Sequence, residues 1–290
     1  MEYERNVNYL DHSAGGRYHH FMKLAISTCW DYSIPLDKSL ELIKTAGFSL
    51  ISLGGKESHS RFNKPEGREN IVRLCEKFGV EVDSVHAPFG SMVDISEPEE
   101  VLRHSAEVEV ARSIKACAEL GTKTLILHIS GFKLSDISAR MKQVRKSLDS
   151  LLGLAERVNV RIAAENPGND LGHTILKYAL DIFDTPVLGL CFDNGHAGLN
   201  EDDFKILSAH SERLYAVHLH DNDGTRDQHL LPFEGNRDLP NLAAQMNKIK
   251  KLCPITVESE VTNSSCKTPE AFLPQAYKAA TRFMEMLKHD

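Results

Sequence analysis

The run Ala216-Val217-His218-Leu219-His220-Asp221-Asn222-Asp223-Gly224-Thr225-Arg226-Asp227-Gln228-His229 begins as an apolar strand, breaks at Gly224 and ends in an Asp-x-His pair. Imidazoles and carboxylates crowded where a strand meets its loop are the ligand chemistry of a divalent metal rather than of a core. Other apolar runs end the same way: Ser84-Val85-His86, Leu127-His128, Ala164-Glu165-Asn166, Phe192-Asp193-Asn194-Gly195-His196 and Val257-Glu258-Ser259-Glu260. A single histidine or aspartate at a strand end is usually a helix cap or a solvated loop group. Six strands ending this way are harder to explain so, because buried carboxylates are costly unless a cation neutralises them.

The elements that must position these groups follow from periodicity. Apolar runs at 24–30, 48–54, 80–87, 122–129, 160–166, 187–193, 214–220 and 254–259 alternate with helical periods. The helices are expected near 36–46, 66–79, 97–120, 136–158, 173–183, 201–211, 238–252 and 268–288. Ser96-x-x-Glu99 has capping-box spacing, Thr268-Pro269-Glu270 opens the last helix, and Gly47, Gly79 and Gly121 stand at helix ends. Strand–helix alternation implies parallel strands with helical crossovers, and eight units fit an α/β protein of the (β/α)8 TIM-barrel type, a single domain over 23–290. No Gly-x-Gly-x-x-Gly or Walker loop supports a doubly wound nucleotide-binding sheet. Residues 1–22, with His19-His20, read as a flexible extension, and Met22, directly before the first strand, reads as a candidate alternative start.

Period-2 parity tests the site. Ala163 with Glu165, Cys191 with Asp193 and Ala216 with His218 share a face, putting small residues below polar ones, while Ile162, Leu190, Phe192, Val217 and Leu219 should face the helices.

The formal net charge of −7 weighs against nucleic acid as partner, although a local basic patch would be compatible with it. The best such group, Arg61, Lys64, Arg68 and Arg73, reads as a solvated helix face. Six scattered cysteines without Cys-x-x-Cys spacing read as reduced core residues, neither a disulfide framework nor a thiolate zinc site. No apolar run approaches the ~20 residues of a membrane span, and none resembles a signal peptide, so a cytoplasmic, soluble protein is expected.

At these residues, across about 24–288, the sequence resembles the xylose isomerase-like barrel superfamily, which holds sugar isomerases and epimerases beside endonuclease IV-type repair enzymes. The likeness is most specific in Phe192-Asp193-x-Gly195-His196 and in His218-x-x-Asp221-Asn222-x-Gly224-x-x-Asp227-x-His229; Phe233-Glu234-Gly235 resembles a Gly-Glu-Gly, with Phe233 in place of the first glycine. The resemblance implies that Glu165, Asp193, His218 and Glu258 hold a shared divalent metal, with Zn, Mn, Co and Mg all suited to the donor set. It also implies that His86, His128, His196, Asp227 and His229 match the further ligands of a three-zinc cluster. One ion is the leading expectation and three the upper bound.

Two reactions follow from the resemblance. In a carbohydrate isomerase or epimerase, Glu165 and Glu258 exchange base and acid roles through a cis-enediolate, and His196 hydrogen-bonds a substrate oxygen. Trp30, at the end of the first strand, reads either as an apolar face for the sugar or as a core aromatic, and His220, on the face of His218, either as a substrate contact or as a structural histidine; His86 and His128 are further substrate contacts. In an endonuclease, a zinc-activated water attacks a phosphodiester of abasic DNA. Gln228 in place of the usual Arg, and Ala87-Pro88-Phe89-Gly90-Ser91-Met92-Val93 in place of a DNA-probing loop, weigh against the second. A non-catalytic ligand-binding barrel would be favoured by a broken donor set, which this chain does not have. Relatives often pair through the barrel's helices, so a homo-oligomer is compatible with the resemblance.

Overall fold

The computed structural model describes residues 23–131, 135–199, 204–250 and 253–287. The expected extension at 1–22 lies outside them. Eight strands, β1 (Leu24–Ser27), β2 (Leu50–Leu53), β3 (Glu81–His86), β4 (Thr124–Leu127), β5 (Arg161–Glu165), β6 (Leu188–Asp193), β7 (Leu214–Leu219) and β8 (Ile255–Val257), close in sequence order into one parallel barrel, with β1 pairing β8. This is the (β/α)8 TIM barrel that the alternation predicts.

The crossover helices are α1 (Leu36–Thr45), α2 (Glu57–Ser60), α3 (Pro65–Phe78), α4 (Glu100–Leu120), α5 (Ile137–Arg157), α6 (Asp170–Ile182), α7 (Asn194–Ala197), α8 (Lys205–Ala209), α9 (Leu239–Met246) and α10 (Pro269–Met284). None of the described helices is long and apolar enough to cross a membrane. Thr268 caps α10 by accepting from the Ala271 N–H, and Gly79 and Gly121 close α3 and α4 in the left-handed conformation.

The expected capping box at Ser96 does not form. Glu99 is the N-cap of α4 and its carboxylate accepts from the Val101 and Leu102 N–H groups. Ser96 is drawn into a buried polar knot instead, donating to Asp94 and accepting from Arg140, which also reaches Asp94 at 2.7 Å. A buried guanidinium demands acceptors more strongly than a helix end does. The knot ties the β3–α4 connection to α5.

Parity divides the core as the sequence predicts. Ala163, Cys191 and Ala216 form, with Ile126 and Tyr215, a small cluster inside the barrel, whereas Ile162, Leu190, Phe192, Val217 and Leu219 belong to the outer core against the helices. Tyr215 departs from the small-inside rule because the register shifts between Leu190 and Cys191, which pair with Leu214 and Ala216 and leave Tyr215 bulged. Its hydroxyl donates to the Pro186 carbonyl at 2.7 Å. Phe192 is fully buried beside Phe204. Phe192→Ala is expected to cost about 3–5 kcal/mol, measured by urea unfolding; a loss below about 1 kcal/mol would contradict the outward placement of this face.

Candidate metal centre

Four strands deliver the central donors. Glu165 ends β5, Asp193 ends β6, His218 lies near the end of β7 and Glu258 follows β8. One ligand atom from each lies within 4.8 Å of all the others, and all four residues are buried. Two further groups share the barrel mouth: His86 and His128 with Glu165, and His196 with Asp227 and His229. The structure therefore brings together all nine positions singled out by sequence.

Glu165 joins two of the groups. Its Oε2 lies 3.2 Å from both His86 Nε2 and His128 Nε2 and 3.5 Å from His218 Nδ1, and its Oε1 lies 3.3 Å from His196 Nδ1. Asp227 joins His196 and His229 in the third group, with Oδ2 3.1 Å from His196 Nε2 and 2.8 Å from His229 Nε2.

Three imidazoles are held in the same way. Nδ1 of His86 faces the Ala87 carbonyl at 2.8 Å, that of His196 the Asn166 carbonyl at 3.0 Å, and that of His229 the Glu258 carbonyl at 2.6 Å. A main-chain carbonyl can only accept, so Nδ1 carries the proton and Nε2 is left to bind a cation, the arrangement that fixes ligating histidines. His218 presents Nδ1 instead. That atom is buried and makes no hydrogen bond of acceptable geometry, although Glu258 Oε2 is only 2.7 Å away. Buried nitrogen and oxygen atoms that converge without bonding suit a shared divalent cation.

Electrostatics agree. Burial alone would raise the carboxyl groups of Glu165 and Asp193, but neighbouring imidazoles outweigh it: His128 and His218 hold Glu165 well below the usual range, and His196 and His220 do the same for Asp193. Glu258 is lowered against burial chiefly by His218. In return, burial disfavours the charged form of His229, yet Asp227 pulls it up to about 10; His196 and His218 are raised as well. Without a cation, protonated histidines supply the positive charge that the carboxylates require.

The amides that hold these donors carry no role in the sequence reading. Asn166 accepts from the Asp193 N–H at 2.7 Å and donates to the Asp193 carbonyl at 2.9 Å. Asn194 makes the same pair of bonds to His220, at 3.0 and 2.9 Å, and Asn222 donates to the Gly195 carbonyl at 3.1 Å. Asn166 and Asn194 each continue the β-ladder where backbone pairing stops. The sequence signal is an asparagine directly after the donor of β5 and of β6.

Of the two readings open for Trp30 and for His220, the geometry fits the structural one in each case. Trp30 is 0% exposed, stacks on Phe272 of α10 at 6.0 Å and donates to Ser39 at 2.9 Å, so it fills the outer core. Its indole N–H gains a buried partner there. His220 is also 0% exposed and puts Nε2 3.0 Å from both Asp193 oxygens, so it braces that carboxylate. Its ring requires Gly195, because a Cβ there would lie 2.0 Å from His220 Cε1.

An aromatic face at the mouth comes instead from Phe89, which is 46% exposed and stacked on His128 at 4.8 Å. Phe233 adopts φ +73°, the left-handed backbone open to a glycine, and Arg282 covers its ring at 3.9 Å. The loop thus keeps a glycine-like shape with a phenylalanine in it.

A profile of the xylose isomerase-like TIM barrel family matches residues 40–286. The chain belongs to this family. An uncharacterised protein, y4fM, of Sinorhizobium fredii is 25% identical over 88% of this chain and 91% of its own length. A probable endonuclease 4 of Geobacillus kaustophilus is 25% identical over 59% of this chain and 60% of its own. Among solved structures, a D-tagatose 3-epimerase-like protein superposes with TM-score 0.78 at 22% identity, covering 92% of this chain and 98% of that one. The 3-keto-D-glucoside 4-epimerase YcjR of E. coli gives 0.71 at 17%, covering 91% and 99%. At such identities the structural likeness is one of fold.

Gly195→Ala is expected to displace His220 from Asp193 and to weaken divalent-cation binding about 10–100-fold; unchanged affinity in a calorimetric titration would remove His220 from the support of the centre. Because imidazoles must lose protons to ligate and those of His196, His218 and His229 hold them more tightly than usual, affinity should rise with pH and protons should be released on binding. Calorimetry in buffers of different ionisation enthalpy reads that release.

Proposed function

We propose that this protein is a divalent-metal-dependent isomerase or epimerase of a small carbohydrate. The observation that carries the reading is the convergence of two glutamates, Glu165 and Glu258, on one four-donor centre with Asp193 and His218. Proton removal beside a carbonyl is served by a carboxylate that takes the proton, and inversion of that carbon by a second group on the opposite side that returns one. A divalent cation, when bound, lowers the cost of negative charge on a nearby carbonyl or hydroxyl oxygen.

Glu258 is the more open of the two carboxylates, its side chain 10% exposed against 1% for Glu165. In this reading Glu258 takes the proton from the carbon beside the carbonyl, the electron pair left behind forms the enediolate, and the proton returns to the product carbon from Glu258 or, for inversion, from Glu165 after that carboxylate has itself taken a proton from the charged His196 3.3 Å away. His196, whose side chain is 11% exposed, hydrogen-bonds a substrate oxygen through Nε2.

The surroundings support a small substrate. The cleft beside the centre has a volume of about 430 Å³, and Arg226 is the single lysine or arginine among its described lining residues. Two of the four basic residues on the outside are paired with carboxylates: Arg61 with Glu66 and Arg68 with Glu119, each at 2.6 Å. A duplex would need a continuous positive track. The larger groove, about 810 Å³, lies at the amino-terminal ends of β1 to β3, beside Lys23, Ser49 and Glu81, and none of the described metal-ligand groups adjoins it. The named activities of YcjR and of the D-tagatose 3-epimerase-like protein point the same way.

One observation favours a second reading. The Nε2 atoms of His86, His196 and His229 are all left to bind cations outside the central four, which is the donor supply of a multinuclear phosphoesterase.

Glu165→Gln should lower turnover about 10²–10⁴-fold with the fold intact by circular dichroism; full retained activity removes Glu165 from the chemistry. The two readings part in a paired assay. Solvent deuterium incorporated at a carbon of a ketose supports proton transfer, while prompt cleavage of an abasic-site duplex, with three zinc ions per chain, overturns it.

A further inference from the structure

Cys191 lies on β6 two residues before Asp193, on the face that points into the barrel. It is 0% exposed, and its Sγ lies within 4.8 Å of ligand atoms of both Glu165 and His218. Pairing sets this up: Cys191 stands opposite Glu165 on one side and Ala216 on the other, and the small Ala216 leaves the thiol room beside the imidazole of the next inward residue, His218. The second observation is His218 Nδ1, on a side chain 1% exposed, which finds no hydrogen-bond partner although three carboxylates surround it. Residues read from sequence as plain core thus include one sulfur facing the donors.

We propose that Cys191 is an inner thiol donor of the centre, which makes the site prefer borderline-soft cations such as zinc or cobalt to magnesium or manganese. Oxygen and imidazole donors alone suit all of these ions, whereas a thiolate favours the softer ones. On ligation the thiol proton passes to solvent and the sulfur lone pair forms the metal bond; no oxidant or reductant takes part. The inference rests on the cation-binding reading of Glu165, Asp193, His218 and Glu258, and is independent of the reaction carried out there. It also gives Cys191 a part that the other five cysteines, none of them in a disulfide, do not have, since none of these stands in a described donor group.

The test uses the full-length chain, stripped of metal and titrated with one equivalent of cobalt(II). A thiolate-to-cobalt charge-transfer band in the near ultraviolet is expected in the native chain and in Cys117→Ser, a buried cysteine on α4, and should be absent from Cys191→Ser. In zinc–manganese competition, Cys191→Ser should lose about tenfold or more of the preference for zinc. X-ray absorption of the native chain with one equivalent of zinc needs no variant, and a sulfur scatterer at ~2.3 Å is expected. Bound cobalt or zinc with only nitrogen and oxygen neighbours overturns the role of Cys191. Failure to bind either ion overturns the centre itself, whereas sulfur ligation without sugar turnover leaves this inference standing and sinks the proposed reaction.

Discussion

Three carboxylates buried at the end of one barrel, those of Glu165, Asp193 and Glu258, are the constraint around which this structure is organised. Anions removed from water are costly unless each meets positive charge and hydrogen-bond donors. Five histidines surround them (His86, His128, His196, His218 and His220), and every one lies within 3.7 Å of a carboxylate oxygen. Asp193 illustrates the completeness of the arrangement: it accepts from the His196 N–H as the cap of α7 and from His220, while its own main chain is clasped by Asn166. A lone cap or a lone core histidine does not need this much support.

Supporting such a cluster demands a rigid frame with room inside. Strand pairing supplies the rigidity, and Ala163, Cys191 and Ala216 supply the room beneath the donors, while the bulky partners of these residues pack outward against the helices. The glycines of the motif serve the same end at closer range. Gly195 admits the ring of His220, and Gly235 admits Asp221, whose Oδ1 would lie 2.4 Å from an added Cβ. Asp221 in turn accepts from the Asn222, Phe233 and Arg237 N–H groups, which pins the loop carrying Asp227 and His229 to the strand that bears His218.

Much of this was legible in the sequence because it depends on local period. Alternation of strand and helix, small residues two before each inward donor, and ligand-type side chains at strand ends are all one-dimensional signals. Position in the third dimension was less legible. Trp30 follows β1 closely enough to read as a mouth residue, yet a short helical turn, Thr28–Asp31, swings it under α10. Ser96 has the spacing of a cap but is taken by Arg140, 44 residues away. His220 shares parity with His218, but Asp193 claims it from the neighbouring strand. In each case a partner distant in sequence outbids the local pattern.

The tautomers of His86, His196 and His229 are governed by main-chain carbonyls, not by other side chains. A carbonyl belongs to whatever residue occupies its position, so Ala87 could be exchanged for another amino acid without changing which nitrogen His86 turns to the centre, whereas Asn166 is kept by the separate clasp of its side chain on Asp193. Which nitrogen of each of these imidazoles turns to the barrel mouth is in that sense a property of the path of the backbone, inherited with the fold rather than chosen by the side chain next to it.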